Sequence, residues 1–179
     1  MVHAEYHERQ LLTGALEREY RNALRMMRSF PAGHADDVPA DCSRSGRDLA
    51  WGFVERERLL HYVVKGRMGT LGETAPADLS TILLFYEAAH RETSEALIAL
   101  TARQWEEVIR GPAGIGVWER GRRSELLWMA WKDLVHQGAH FAVHLRLARQ
   151  EDAAEIARPA GDEGLATGFP PPVFSGATM

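Results

Sequence analysis

The stretch DLVHQGAHFAVHLRLA, Asp133 to Ala148, sets His136, His140 and His144 at intervals of four. Four residues are just over one helical turn, so the three imidazoles fall close to one stripe of a helix. The predicted helix around them runs from about Arg123 to Gln150 and on toward Ile156. His136 and His140 repeat the histidine spacing of the H-E-x-x-H metalloproteases, but here the motif reads H-Q-G-A-H, with Gln137 in the place of the glutamate. A glutamine amide cannot take a proton from metal-bound water near neutral pH, so the protease reading fails at its general base. The pair remains a candidate for two ligands of one ion, or for a polar helix face.

Working outward, the periodicity stays helical. From about Ala4 to Ser29, Leu12, Leu16, Ala23, Leu24 and Met27 recur on one face while Glu17, Arg18, Glu19, Arg21 and Arg25 fill the other. Two prolines and a glycine in SFPAGHADDVPADC end that helix. Ser43 or Ser45 caps a second helix that ends at Gly66 or Gly69. Pro76 and Asp78 open a third, from Leu79 to about Leu100. Thr101 and Gln104 then match a capping box and predict a short extra helix. RGPAGIGVWERGR is a connection, since it lacks the phosphate-loop lysine and no strand precedes it. GDEGLATGFPPPVFSGATM, with three consecutive prolines, reads as an extended tail. With four long helices and no convincing strand, the expected fold is an all-α four-helix bundle over residues 1–157, followed by a proline-rich C-terminal tail over 158–179.

Composition narrows the function. An apolar fraction of 45% with 26% charged residues is that of an ordinary globular domain. The net charge of −4 supplies no basic field for nucleic acid. No apolar run reaches the roughly 20 residues that span a bilayer. The single cysteine, Cys42, cannot form an internal disulfide, and a cytoplasmic setting is expected. The arginine-rich runs VERERLL and WERGRRSELL read as solvated, ion-paired faces, Glu55 and Glu57 included.

Three stretches carry a family resemblance. SRSGRDLAWGFVERERLL is similar to the second-helix signature of the DinB-like superfamily, LVHQGAHFAVHLRLA to its fourth-helix H-x-x-x-H pattern, and GFPPPVFSG to its proline–aromatic–glycine ending. The chain thus resembles DinB-like bundles, which include bacillithiol- and mycothiol-dependent transferases. The resemblance implies a divalent metal, nickel or zinc, held by one second-helix histidine and two fourth-helix histidines, His136 and His140. It also implies a homodimer and a small-molecule or thiol ligand. In this chain the second-helix position is Gly52, which has no side chain to offer.

Catalytic zinc usually takes three protein ligands. Substitutes for the missing one are Asp48 and Glu55, one turn on either side of Gly52, and His144, one turn past His140; His90 on the third helix is a further candidate. Gly52 opens space for a ligand, for a ring such as Trp128 or Trp131, or for close helix packing. Two functions follow: a metal-dependent transferase or hydrolase, or a non-catalytic bundle with a degenerate metal site. If the site is degenerate, a histidine at position 52 is expected to restore it.

Overall fold

The computed structural model describes residues 2–39, 44–67, 73–110 and 120–156, and side chains from Tyr6 to Glu151 within them. The expected tail, Cys42 and Trp118 lie outside the described residues. The elements are α1 (Val2–Arg28), a 3-10 turn (Ala32–His34), α2 (Gly46–Lys65), α3 (Leu79–Ile98), α4 (Ala102–Glu106), β1 (Val108–Ile109), β2 (Gly121–Arg122) and α5 (Arg123–Ile156).

Local chemistry sets the helix ends. Ser45 rather than Ser43 caps α2: its hydroxyl accepts from the Asp48 N–H, and the Asp48 carboxylate accepts from the Ser45 N–H. Asp78 caps α3 by accepting from the Thr81 N–H at 2.7 Å. Thr101 and Gln104 form the expected capping box of α4. α2 stops at Gly66, whose φ of 63° is left-handed. A Cβ there would also stand 2.6 Å from Nη2 of Arg123, but it is the left-handed φ that demands glycine.

Side-chain contacts give the helix directions. Glu8 meets Trp128 and Ser29 meets Arg149, so α1 and α5 run parallel. Arg9 meets the Leu100 carbonyl and Arg28 meets Glu87, so α1 and α3 are antiparallel. Trp51 meets Phe85 and Glu57 meets Thr93, so α2 and α3 are parallel. Gly52 faces Gln137 and Gly66 faces Arg123, so α2 and α5 are antiparallel. The bundle is therefore up–down–down–up.

Parallel neighbours need a connection that travels the length of a helix, about 30 Å for the 20 residues of α2. The described part of the connection after Gly66 includes Glu73. Glu73 is pinned along α2, its carbonyl accepting from the Trp51 indole at 3.0 Å and its carboxylate from Arg58 at 2.7 Å.

On α1 the buried face is the stripe the periodicity predicts, and the other helices close the core over it. Leu12, Leu16, Met27, Phe53, Leu60, Ile82, Tyr86, Leu127, Leu134 and Phe141 are all buried. No strand was expected, yet β1 and β2 form a two-residue antiparallel ladder, Val108 opposite Arg122 and Ile109 opposite Gly121. The Glu107 carbonyl accepts from the Arg123 N–H at 2.9 Å beside it. The ladder satisfies backbone groups where the chain leaves α4 and enters α5. Among the described residues no helix is long and apolar enough to cross a membrane.

Glu8 joins α1 to α4 and α5, its two carboxylate oxygens accepting from the indoles of Trp105 at 3.2 Å and Trp128 at 3.0 Å. Replacing Glu8 with alanine leaves both donors without a partner. We expect a loss of about 2 kcal/mol, seen as a lower urea midpoint together with a shift in tryptophan emission.

Candidate functional site

The seam between α2 and α5 is where the resemblance puts a metal. Gly52 is buried there. A Cβ at residue 52 would stand 2.5 Å from Nε2 and 2.9 Å from Cδ of Gln137, and 3.1 Å from Nη1 of Arg56. Gln137 is itself buried and donates its amide to the Leu49 carbonyl. Arg56 donates Nη1 to the Gly52 carbonyl at 3.0 Å. Burial lowers the Arg56 pKa, against the pull of Asp133. The notch that a missing side chain leaves at position 52 is thus filled by an amide and a guanidinium.

His136 and His140 lie on the exposed side of α5. Their Nε2 atoms are 3.0 Å apart, with the rings edge to face at 4.5 Å between centroids. Two lone pairs cannot face each other at that distance unless a proton or a cation lies between them.

The proposed third ligands are elsewhere. Asp48 is engaged as a capping partner of Ser45. Glu55 is half-buried. His144 is buried; burial, reinforced by His140, lowers its pKa. Among the described residues, none of the three joins His136 and His140 in a set of ligand atoms within 4.8 Å of one another; His34, Asp37 and Glu151, away from the seam, do form such a set among themselves. The residues at the seam therefore do not fit the three-ligand centre that the resemblance implies.

Trp128 and Trp131 pack edge to face at 5.5 Å. The Trp128 N–H is taken by Glu8, and the buried Trp131 N–H has no partner among the described residues. The atoms nearest to a side chain at position 52 belong to Gln137 and Arg56, not to either ring. A separate groove of about 420 Å³ opens between the start of α1 and the end of α3, lined by Tyr6, Arg9, Gln10, Thr13, Leu97 and Ile98.

The most concentrated polar chemistry lies between α1, α2 and α3. Glu57, expected on a solvated face, is fully buried. Its Oε1 is 3.0 Å from Nδ1 of His90, and Nε2 of His90 is 3.2 Å from Oε2 of Glu17. Both ring nitrogens face carboxylate oxygens, an arrangement that favours the protonated imidazole. Tyr20 stacks on that ring at 3.7 Å, nearly parallel to it.

Burial alone would lower the His90 pKa; the hydrogen bonds and charges of Glu57 and Glu17 outweigh it and raise it. Burial likewise opposes ionisation of Glu17, but bonds to His90 and Arg21 outweigh it and hold that carboxyl low. Burial, with Glu57 beside it, pushes the Tyr86 phenol well above its ordinary value.

Ser94 Oγ lies 3.3 Å from Nε2 of His90, so Ser94, His90 and Glu57 follow the order of a hydrolase triad. Glu17 weakens that reading: its carboxylate beside Nε2 favours a proton on that nitrogen, the one that would have to act as base. Ser94 also sits inside α3, where backbone N–H groups are used by the helix and cannot form an oxyanion hole. The sequence did hold a signal for this cluster. Glu57 lies four residues after Phe53 and three before Leu60, and His90 four after Tyr86, so both are on apolar stripes.

An up–down–down–up bundle of four long helices, with a short helix and a hairpin before the last, is the class of protein that this architecture defines. Its fold is DinB-like. A solved structure that shares it is a DinB-like protein, YjoA, from Bacillus subtilis, at 16% sequence identity and a TM-score of 0.58, covering 76% of this chain and 90% of that one. No protein-family model and no curated protein matches the chain.

The clasp on His90 makes a signed prediction. Its folded pKa lies above the ordinary 6.5, so its contribution is complete below that value and is lost as pH rises through the higher folded one. Glu17 acts in the opposite sense: its contribution is present above 4.5 and is lost as pH falls through its lower folded value. Urea midpoints should therefore decline from neutral into alkaline pH, and His90→Gln should flatten that decline.

Proposed function

We propose that this chain is a DinB-like bundle that works by binding rather than by metal catalysis, with a degenerate metal site between α2 and α5. The observation that carries this reading is the occupied notch: Gln137 and Arg56 take the space from which a second-helix histidine would reach an ion. A guanidinium beside that space also repels a divalent cation. His136 and His140 remain as a surface pair, and two imidazoles hold a first-row ion less firmly than the three protein ligands of a catalytic zinc site. The groove beside Arg9 and Tyr6 supports a small-molecule ligand, with a cation for an acidic group and apolar walls for the rest.

The alternative is a metal-dependent thiol transferase or hydrolase that uses His136, His140 and a substitute third ligand. It rests on the convergence of the two Nε2 atoms. Elemental analysis of tag-free protein, dialysed against dilute nickel and zinc, separates the two. Equal metal content in the unaltered chain and in His140→Ala supports the binding reading. A whole ion per chain that is lost in His140→Ala sinks it and favours the enzyme.

The homodimer and the cytoplasmic setting belong to the same proposal. Sedimentation should give twice the mass of the 179-residue chain; a monomer at working concentration would remove the dimer from it.

The packing refines the expectation for position 52. Gly52→His forces the Gln137 amide off the Leu49 carbonyl and should cost about 2 kcal/mol through overpacking. Adding Gln137→Ala should recover part of that loss. Nickel uptake, followed by isothermal titration, should rise only in the double variant.

A further inference from the structure

We propose that His34, Asp37 and Glu151 form a divalent-cation site, suited to zinc and its first-row neighbours, that clips the α1–α2 connection to the last turns of α5. It shares no residue with the seam described above and does not rest on the binding reading.

The chain folds so that the three ligands meet. The 3-10 turn at Ala32–His34 runs into a further turn in which the Asp37 N–H donates to the His34 carbonyl at 3.3 Å, placing both side chains on one side. Because α1 and α5 are parallel, the end of α5 arrives beside the end of α1 and brings Glu151 to the same point. Nδ1 of His34 is 2.7 Å from Oδ2 of Asp37 and 3.7 Å from Oε2 of Glu151. All three ligand atoms lie within 4.8 Å of one another.

An ion about 2.1 Å from each ligand would hold them roughly 3–3.5 Å apart. The two His34 separations lie on either side of that spacing, and the Asp37 and Glu151 oxygens are within 4.8 Å of each other. His34 is mostly covered, its side chain 17% exposed, so the nitrogen is already oriented, while the exposed carboxylates leave the remaining coordination positions to water.

One imidazole and two carboxylates form a mixed set of the kind that takes zinc, manganese, cobalt or nickel. Nearby cations are engaged elsewhere: Arg47 pairs with Asp36 at 2.9 Å, and Arg149 donates to the Ser29 carbonyl. Binding would displace any proton on Nδ1, so affinity should fall on acidification.

The test is equilibrium dialysis of the full chain against zinc alone, in a His136→Ala/His140→Ala background that removes the surface pair. The background should retain about one zinc per chain and melt higher in zinc than in chelator. Glu151→Gln and, separately, His34→Gln should each weaken zinc about tenfold or more, with the metal-free circular dichroism spectrum unchanged. No zinc in the background overturns the proposal, and so does zinc that neither substitution weakens. Failure of the binding reading shows differently, as metal lost on His140→Ala.

Discussion

A buried carboxylate has to be paired, and in this bundle that requirement falls on Glu57. It sits inside the interface of three helices. An unpaired charge at that depth would cost several kcal/mol, so α2 can take its place only with His90 of α3 against it. His90 in turn draws Glu17 of α1 to its other nitrogen, and the Tyr20 ring covers the imidazole face. The register of α1, α2 and α3 thus depends on one ring shared by two carboxylates. The apolar stripes make these helices associate, and the clasp selects one alignment among the many that would bury similar area.

The seam with α5 solves a different problem. Gly52 costs helix stability in the middle of α2, and its lack of a side chain would leave a hole. Gln137 enters that hole and bonds the Leu49 carbonyl, while Arg56 folds back onto the Gly52 carbonyl. A glycine on one helix and a long polar side chain on the other form a matched pair. The result is a packed contact where a three-ligand centre would need an open one.

The parallel course of α2 and α3 governs what the loops must do. A chain returning along a whole helix has to be held there, and Glu73 is bonded by both Trp51 and Arg58 for that purpose. The same up–down–down–up order makes α1 and α5 parallel. It brings the turn after α1 against the end of α5, with His34 facing Glu151.

Much of this was legible in the residues themselves. Helical periodicity, the caps at Ser45, Asp78 and Thr101 and the stop at Gly66 depend on contacts within a few residues, so the sequence alone determined four long helices and a short one. It also determined that His136 and His140 share a stripe, since spacing along a helix is local. What it could not determine was which stripe meets which. Tertiary packing turned the histidine pair outward and Gln137 inward, buried Glu57 out of an apparently solvated run, and joined His34 to a glutamate from the far end of the chain. Rotation about a helix axis and the direction of its neighbours follow from the best simultaneous burial of every apolar face, and no single segment carries that information.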